Sequence, residues 1–184
     1  MNKKIIHSVF EKTVEQFESK TAVEEEDRSV EYAVLNRLAN RLAHALNENG
    51  VERDSIAGVF LPNSIEFVVS VIGIFKSGGI LLPIDTDVPE NRFKKILDKT
   101  SPKVIITNAA LKEELIRQLS DSDLLCKTDC ILVFGDDNTV SGSIQKIRFA
   151  ADEKRTVTEK VYPEKNLPLI SDPDDGNYII FTSG

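Results

Sequence analysis

Short, almost wholly apolar runs alternate along this chain with stretches whose apolar residues recur at spacings of three and four. That alternation leaves few folds open. The runs are Ile56–Leu61, Ile80–Asp85, Lys103–Thr107 and Cys130–Phe134. Between them, Ile65, Val68, Val69, Ile72 and Phe75 mark one face of a helix that Ser77-Gly78-Gly79 closes. Phe93, Ile96 and Leu97 mark a second, with Pro89 suited to its first turn. Leu111, Leu115 and Leu119 mark a third. Runs apolar on both faces suit buried strands. Strands alternating with helices of about 10–15 residues imply an α/β fold, a largely parallel, doubly wound sheet flanked by helices.

Upstream, Ile6, Val9, Phe10, Val14 and Phe17 predict one apolar helical face. Thr21–Val23 and Ser29–Tyr32 predict a short hairpin around a solvated acidic turn, Glu24 to Asp27. Leu35, Leu38, Ala39, Leu42, Ala43 and Leu46 predict a helix whose other side carries Asn36, Arg37, Asn40, Arg41 and Glu48. Gly50 falls where a left-handed C-terminal cap belongs. Asn63, with Glu66 three residues on, resembles a capping box. From about 135 to 173 the pattern dissolves into polar residues with weak strand signals, which predicts an irregular connection. The last eight residues, Asn177 to Gly184, then read as a buried strand (Tyr178–Phe181) running into a polar turn. Thr182-Ser183-Gly184 is what a phosphate-holding loop requires: hydroxyl donors, and a glycine that lets backbone N–H groups approach an anion. By itself it also fits an ordinary strand-ending turn. It lacks the lysine of the common phosphate loop and the spaced glycines of the dinucleotide fingerprint.

The chain has 184 residues, enough for one sizeable core and at most two domains. A net charge of −7 with no basic run argues against nucleic acid as a partner. No apolar run approaches the roughly 20 residues of a membrane span. The start, Met-Asn-Lys-Lys-Ile-Ile-His, has no apolar stretch behind its lysines and so does not read as a secretory signal. Two cysteines, Cys126 and Cys130, do not make a disulfide framework. Together these features predict a cytoplasmic protein without membrane contacts.

Isolated chemical candidates are few. His7 and His44 are the only histidines, and His44 has no nucleophile in view. The cysteines lack the two further ligands of a zinc site. Asp85, Asp87 and Asp98 could serve a metal or could be loop and capping residues. Gly78-Gly79 could approach a ligand or could simply cap a helix. In an open α/β sheet, ligands bind beyond the carboxyl ends of the strands, where Thr182, Ser183 and Gly184 are expected.

Three motifs, in this order and spacing, resemble the N-terminal part of a nonribosomal peptide synthetase adenylation domain, within the acyl-adenylate-forming (AMP-binding) superfamily. Val30-Glu31-Tyr32-Ala33-Val34-Leu35-Asn36, continuing to Ala43, resembles the family's first core motif and helix. Phe75-Lys76-Ser77-Gly78-Gly79-Ile80-Leu81-Leu82-Pro83-Ile84-Asp85 is similar to the second, and its Pro-Ile-Asp ending favours the peptide-synthetase branch. Tyr178 to Gly184 resembles the opening of the third, a Thr-Ser-Gly phosphate loop. Departures are Glu31 where Thr or Ser is common, Val34 where Glu is usual, and a longer stretch from about 135 to 173.

The resemblance implies that the parent enzyme joins an amino-acid carboxylate to the α-phosphate of ATP with Mg²⁺. It then passes the aminoacyl group to the phosphopantetheine thiol of a carrier domain. Thr182, Ser183 and Gly184 match the phosphate loop, and no catalytic residue or metal ligand carries over. Residues 1–184 are then an incomplete N-terminal portion of the domain, ending inside that loop. Alone they are expected to be inactive, with the remainder of the domain and the carrier domain as partners. Met1 stands at the family's usual start, so a natural Met1 implies a parent that begins with this domain. The alternatives are a fragment of an acyl-CoA or aryl-acid ligase and a non-catalytic α/β interaction module.

Overall fold

The computed structural model describes residues 5–121, 124, 128–135, 143–149, 155–168, 176 and 178–181. The chain runs α1 (Ile6–Phe17), β1 (Thr21–Glu25), β2 (Arg28–Glu31), α2 (Tyr32–Glu48), β3 (Ile56–Phe60), α3 (Ile65–Ser77), β4 (Ile80–Ile84), α4 (Glu90–Thr100), β5 (Val104–Asn108), α5 (Lys112–Asp121), β6 (Cys130–Phe134), β7 (Ser143–Phe149) and β8 (Arg155–Val161). The strands β1 and β2 form a separate antiparallel hairpin. The main sheet has the order β4-β3-β5-β6-β7-β8, with β4, β3, β5 and β6 parallel and the last two strands antiparallel.

The double winding follows from chain direction. The chain steps outward from β3 to β4, then crosses back over β3 to β5 and on to β6. Crossovers of one hand that travel in opposite directions place their helices on opposite faces. Thus α2 and α3 pack on the face that carries Ala57, Val59, Val104, Ile106 and Leu132. The helices α4 and α5 pack on the face that carries Phe60, Leu82, Ile105, Ile131 and Val133. The expected parallel, doubly wound core is borne out. Gly73 lets α2 and α3 close up, because a Cβ there would lie 2.9 Å from Leu42 Cδ2 and 3.2 Å from the Ala39 carbonyl oxygen. Gly78 caps α3 in the left-handed region (φ 82°), as its position predicts.

Several local expectations are corrected. The residues 143–149 and 155–161 are paired strands, not an irregular connection; β6 presents an open edge to which polar, β-branched segments can add. The N-cap of α3 is Ser64, whose hydroxyl accepts from the Phe67 N–H at 3.1 Å, and not Asn63. Glu66 turns instead to the Arg28 guanidinium at 2.8 Å. Glu25 is not part of a free acidic turn; its carboxylate accepts from Arg28 at 2.7 Å and from the Ile65 N–H at 3.2 Å, at the positive end of α3.

In α1 the apolar stripe is only partly used. Val14 is buried, yet Ile6, Val9 and Phe17 are 52%, 42% and 47% exposed. The inward line is His7, Phe10, Glu11 and Val14, and the reason is Lys76 on α3. Its side chain is 1% exposed, and its ammonium pairs with the Glu11 carboxylate. Buried charge requires a partner, and that requirement sets the rotation of α1.

The outer side of α2 is covered as well. Asn40 is 1% exposed. Its Nδ2 donates to the Glu164 carbonyl at 2.6 Å and to Asn166 Oδ1 at 2.8 Å. Asn166 Oδ1 also accepts from Asn36 at 3.2 Å and from Lys76 at 3.3 Å. His44 Nε2–H donates to the Lys165 carbonyl at 3.0 Å, and Arg41 pairs with Glu164. The segment after β8 has no ladder for its backbone, and this polar helix face satisfies it instead.

His7 is 5% exposed, and burial lowers its pKa below 6.5; Glu11 opposes the shift and Lys76 adds to it. The unfolded chain therefore binds the proton more tightly. The stability tied to neutral His7 is full above about pH 6.5 and is lost as pH falls through the lower folded-state value. Urea unfolding of the wild type should weaken over that interval more than unfolding of His7→Gln. Parallel pH profiles would show that His7 titrates as it does in water.

Candidate functional site

The second and third motifs meet at one edge of the sheet. Strand β4 pairs with β3 on one side. On its other side, Leu81 bridges Tyr178 in parallel, and the Ile179 N–H donates to the Leu81 carbonyl at 2.8 Å. Tyr178–Phe181 therefore points the same way as β4, so both deliver their carboxyl ends to one rim. The expected buried strand is corrected to a single bridge at an edge. Tyr178 and Ile180 are 62% and 63% exposed, while Ile179 and Phe181 pack against the cluster that contains Phe60 and Leu82. An edge segment has only one sheet face to cover, so alternate residues face out.

The rim has three further parts. Asp85 accepts from the Asp87 N–H on its Oδ1 at 3.0 Å, a local turn that carries the chain to Pro89 and α4. Arg92, on the first turn of α4, donates from Nη2 to the Phe181 carbonyl at 3.1 Å. Between them lies a cavity of about 230 Å³ lined by Pro83, Asp85, Asp87, Arg92, Ile180 and Phe181 among others. That is smaller than the roughly 300 Å³ at the lower end of small-molecule pockets. Its charged groups are one guanidinium, a donor, and two carboxylates, which are acceptors. At that volume the described residues do not enclose a nucleotide.

Thr182, Ser183 and Gly184 lie outside the described residues, as does Cys126. What is described is the track that delivers the chain to them. Arg92 was not singled out by the sequence reading. The available signal was a lone cation in the first turn of a helix that follows the second motif. Among the described residues, no three His, Cys, Asp or Glu side chains come close enough together to hold a metal. Cys130 is buried in the sheet, where desolvation raises its pKa to about 11 and keeps it a thiol. His44 faces residue 165 and not a nucleophile. No helix among the described residues is long and apolar enough to cross a membrane.

The profile of the family described as AMP-binding enzyme matches residues 10–184. Tyrocidine synthase 1 of Brevibacillus parabrevis is 35% identical over 181 residues, which is 98% of this chain and 14% of that protein. Bacitracin synthase 2 of Bacillus licheniformis is 30% identical over 182 residues, 98% of this chain and 6% of that protein. The chain thus spans a small part of the curated relatives it matches. Among solved structures, the N-terminal domain of FACL13 from Mycobacterium tuberculosis superposes with a TM-score of 0.76 at 22% identity, covering 98% of this chain and 42% of that one. The nonribosomal peptide synthetase FmoA3, bound to α-methyl-L-serine-AMP, gives 0.75 at 23% identity, covering 97% of this chain and 17% of that one. At such identities these two likenesses speak for the fold. With its parallel core, its meeting of the two motifs at one rim and a family match that runs from the first helix to the last residue, the chain belongs to the AMP-binding enzyme family.

Proposed function

We propose that these residues are the N-terminal portion of an amino-acid-adenylating ligase that serves nonribosomal peptide synthesis, a secondary-metabolite pathway of the cytoplasm, where ATP is abundant. The observation that carries this reading is the 35% identity to tyrocidine synthase 1 across 98% of the chain. In the parent enzyme, ATP with Mg²⁺ supplies the phosphoryl group that activates the amino-acid carboxylate, and pyrophosphate leaves. The aminoacyl group is then taken by the phosphopantetheine thiol of a carrier domain. The part played by this chain is positional and electrostatic. The track Tyr178–Phe181, held on β4, leads into Thr182, Ser183 and Gly184, whose N–H and hydroxyl donors suit a loop that stabilises charge on the phosphates. The remainder of the adenylation domain supplies the amino-acid pocket and the catalytic groups, so the 184 residues by themselves do not catalyse adenylation.

The test is ATP–pyrophosphate exchange with a chain extended through the whole domain. One amino acid, or a small related set, should drive exchange, while the 184 residues alone should show none. Exchange driven only by aryl or fatty acids, with free coenzyme A as the thiol acceptor, would assign the chain to the acyl-CoA or aryl-acid ligases. An extended chain that supports no exchange with any carboxylic acid would favour a non-catalytic module.

A further inference from the structure

We propose that residues 163–168 are a latch, which lifts from the outer face of α2 and α3 and closes on it again as a unit while the sheet beneath stays folded. The hold on this segment is made by side chains. Asn40 Nδ2 donates to the Glu164 carbonyl at 2.6 Å and to Asn166 Oδ1 at 2.8 Å. His44 Nε2–H donates to the Lys165 carbonyl at 3.0 Å. Asn166 Oδ1 also accepts from Asn36 and from Lys76. The Glu164 carboxylate pairs with Arg41 and lies 3.9 Å from Arg37 Nε. Among the described residues, no backbone–backbone hydrogen bond reaches 163–168. Pro163 and Pro168 have no N–H to give one.

That pattern sets the segment apart from the core. Tyr162 is 5% exposed and belongs to the core cluster under α2 and α3, so the chain is fixed up to that residue. From Pro163 onward it is exposed, except for the partly buried Leu167. When the segment lifts, each of its hydrogen bonds is exchanged for one to water, and little apolar surface is uncovered. The Glu164 side chain is 44% exposed, so salt screens its hold on the two arginines. Opening therefore costs less than parting the strands β3, β5 and β6, which are apolar on both faces. The seat of the latch is built from the first two motifs. Asn36, Asn40 and Arg41 come from the first motif and its helix, and Lys76 from the second. With the latch open, Lys76 keeps Glu11 as its partner, so α1 stays docked.

The experiment is limited trypsin digestion of the full-length protein that contains this chain, with each cut followed by mass spectrometry. The bond after Lys165 lies inside the latch. The bond after Lys146 lies in β7, between β6 and β8, and serves as the reference for opening of the sheet. Trypsin cuts an extended segment, so each bond is cut through its open state. In the wild type, the bond after Lys165 should be cut at least roughly tenfold faster than the bond after Lys146. Asn40→Ala removes two hydrogen bonds and should speed the Lys165 cut a further tenfold, roughly, without moving the Lys146 cut. Asn36→Ala removes one and should speed it less. Phe93→Ala, on the other face of the sheet, should speed the Lys146 cut and leave the Lys165 cut in place. Raising salt from about 0.05 to 0.5 M should speed the Lys165 cut relative to the Lys146 cut in the wild type, and not in Arg37→Gln/Arg41→Gln. Equal rates at the two bonds, rising together in every variant, would mean that the segment opens only when the sheet does and would overturn the proposal. So would a Lys165 cut that neither Asn40→Ala nor Asn36→Ala accelerates. If Asn40→Ala speeds both cuts, Asn36→Ala and the salt series decide, and a Lys165 cut that moves alone in them supports the latch.

Discussion

Glu11→Ala is expected to destabilise the fold by about 3–5 kcal/mol, because it strips the counter-charge from a buried ammonium. Lys76 is 1% exposed on its side chain, and Glu11 is its carboxylate partner. The other contacts of the ammonium are weaker: Asn166 Oδ1 at 3.3 Å and the face of the Phe10 ring at 6.0 Å. Burial already pulls the Lys76 pKa below its ordinary value, with Glu11 opposing that shift. Without Glu11, the chain must either keep an unpaired buried charge or release a proton to neutralise it, and both cost stability. The double variant Glu11→Leu/Lys76→Met removes both charges and should regain most of the loss, since apolar replacements of a buried pair are often neutral or better. Urea unfolding of the three variants makes the comparison. A loss below about 1 kcal/mol in Glu11→Ala would place the pair among solvent-screened surface bridges. The disruption should also reach α2, because Asn166 ties Lys76 to Asn36 and Asn40.

The second large effect is expected on the opposite face of the sheet. Phe93→Ala should cost about 3–5 kcal/mol, the range for emptying a wholly buried aromatic site. Phe93 has no exposed surface, and its ring stands edge-on to Phe60 with centroids 6.2 Å apart and planes at 70°. That geometry adds a favourable quadrupole contact to the area buried. Phe93→Leu keeps much of the volume and should lose far less. Thermal melting and urea unfolding should agree on the order. Equal losses for Ala and Leu would mean that the ring contact outweighs the packing. A negligible loss for Ala would mean that α4 can collapse onto the sheet. Phe93 follows Arg92 on α4, so its loss is also expected to loosen the rim at Phe181.

The parallel strands β3 to β6 and the helices α2 to α5 were legible because their cause is local. A run apolar on both faces has no stable alternative to burial, and a three-and-four spacing makes a single stripe. Gly50 and Gly78 were legible for a similar reason: each adopts a left-handed backbone, at φ 77° and 82°, immediately beyond a periodic segment. The three motifs pointed to the family in the same way, by residues and order alone.

Other features rest on partners distant in the chain. The rotation of α1 is set by Lys76, 65 residues from Glu11. Asn40 reads as a surface residue on any helical wheel, and it is buried because residues 164 and 166 return to it. The strands β7 and β8 are polar and β-branched, and they become strands only because β6 offers an edge. At the site, the sequence by itself determined that a hydroxyl- and glycine-bearing turn follows an apolar segment. Only the tertiary structure decided that this segment lies on β4 and that Arg92 reaches Phe181 across 89 residues. Periodicity records which face of an element turns inward. It carries no record of which distant carbonyl or carboxylate will be waiting there, because that is settled by how the layers close.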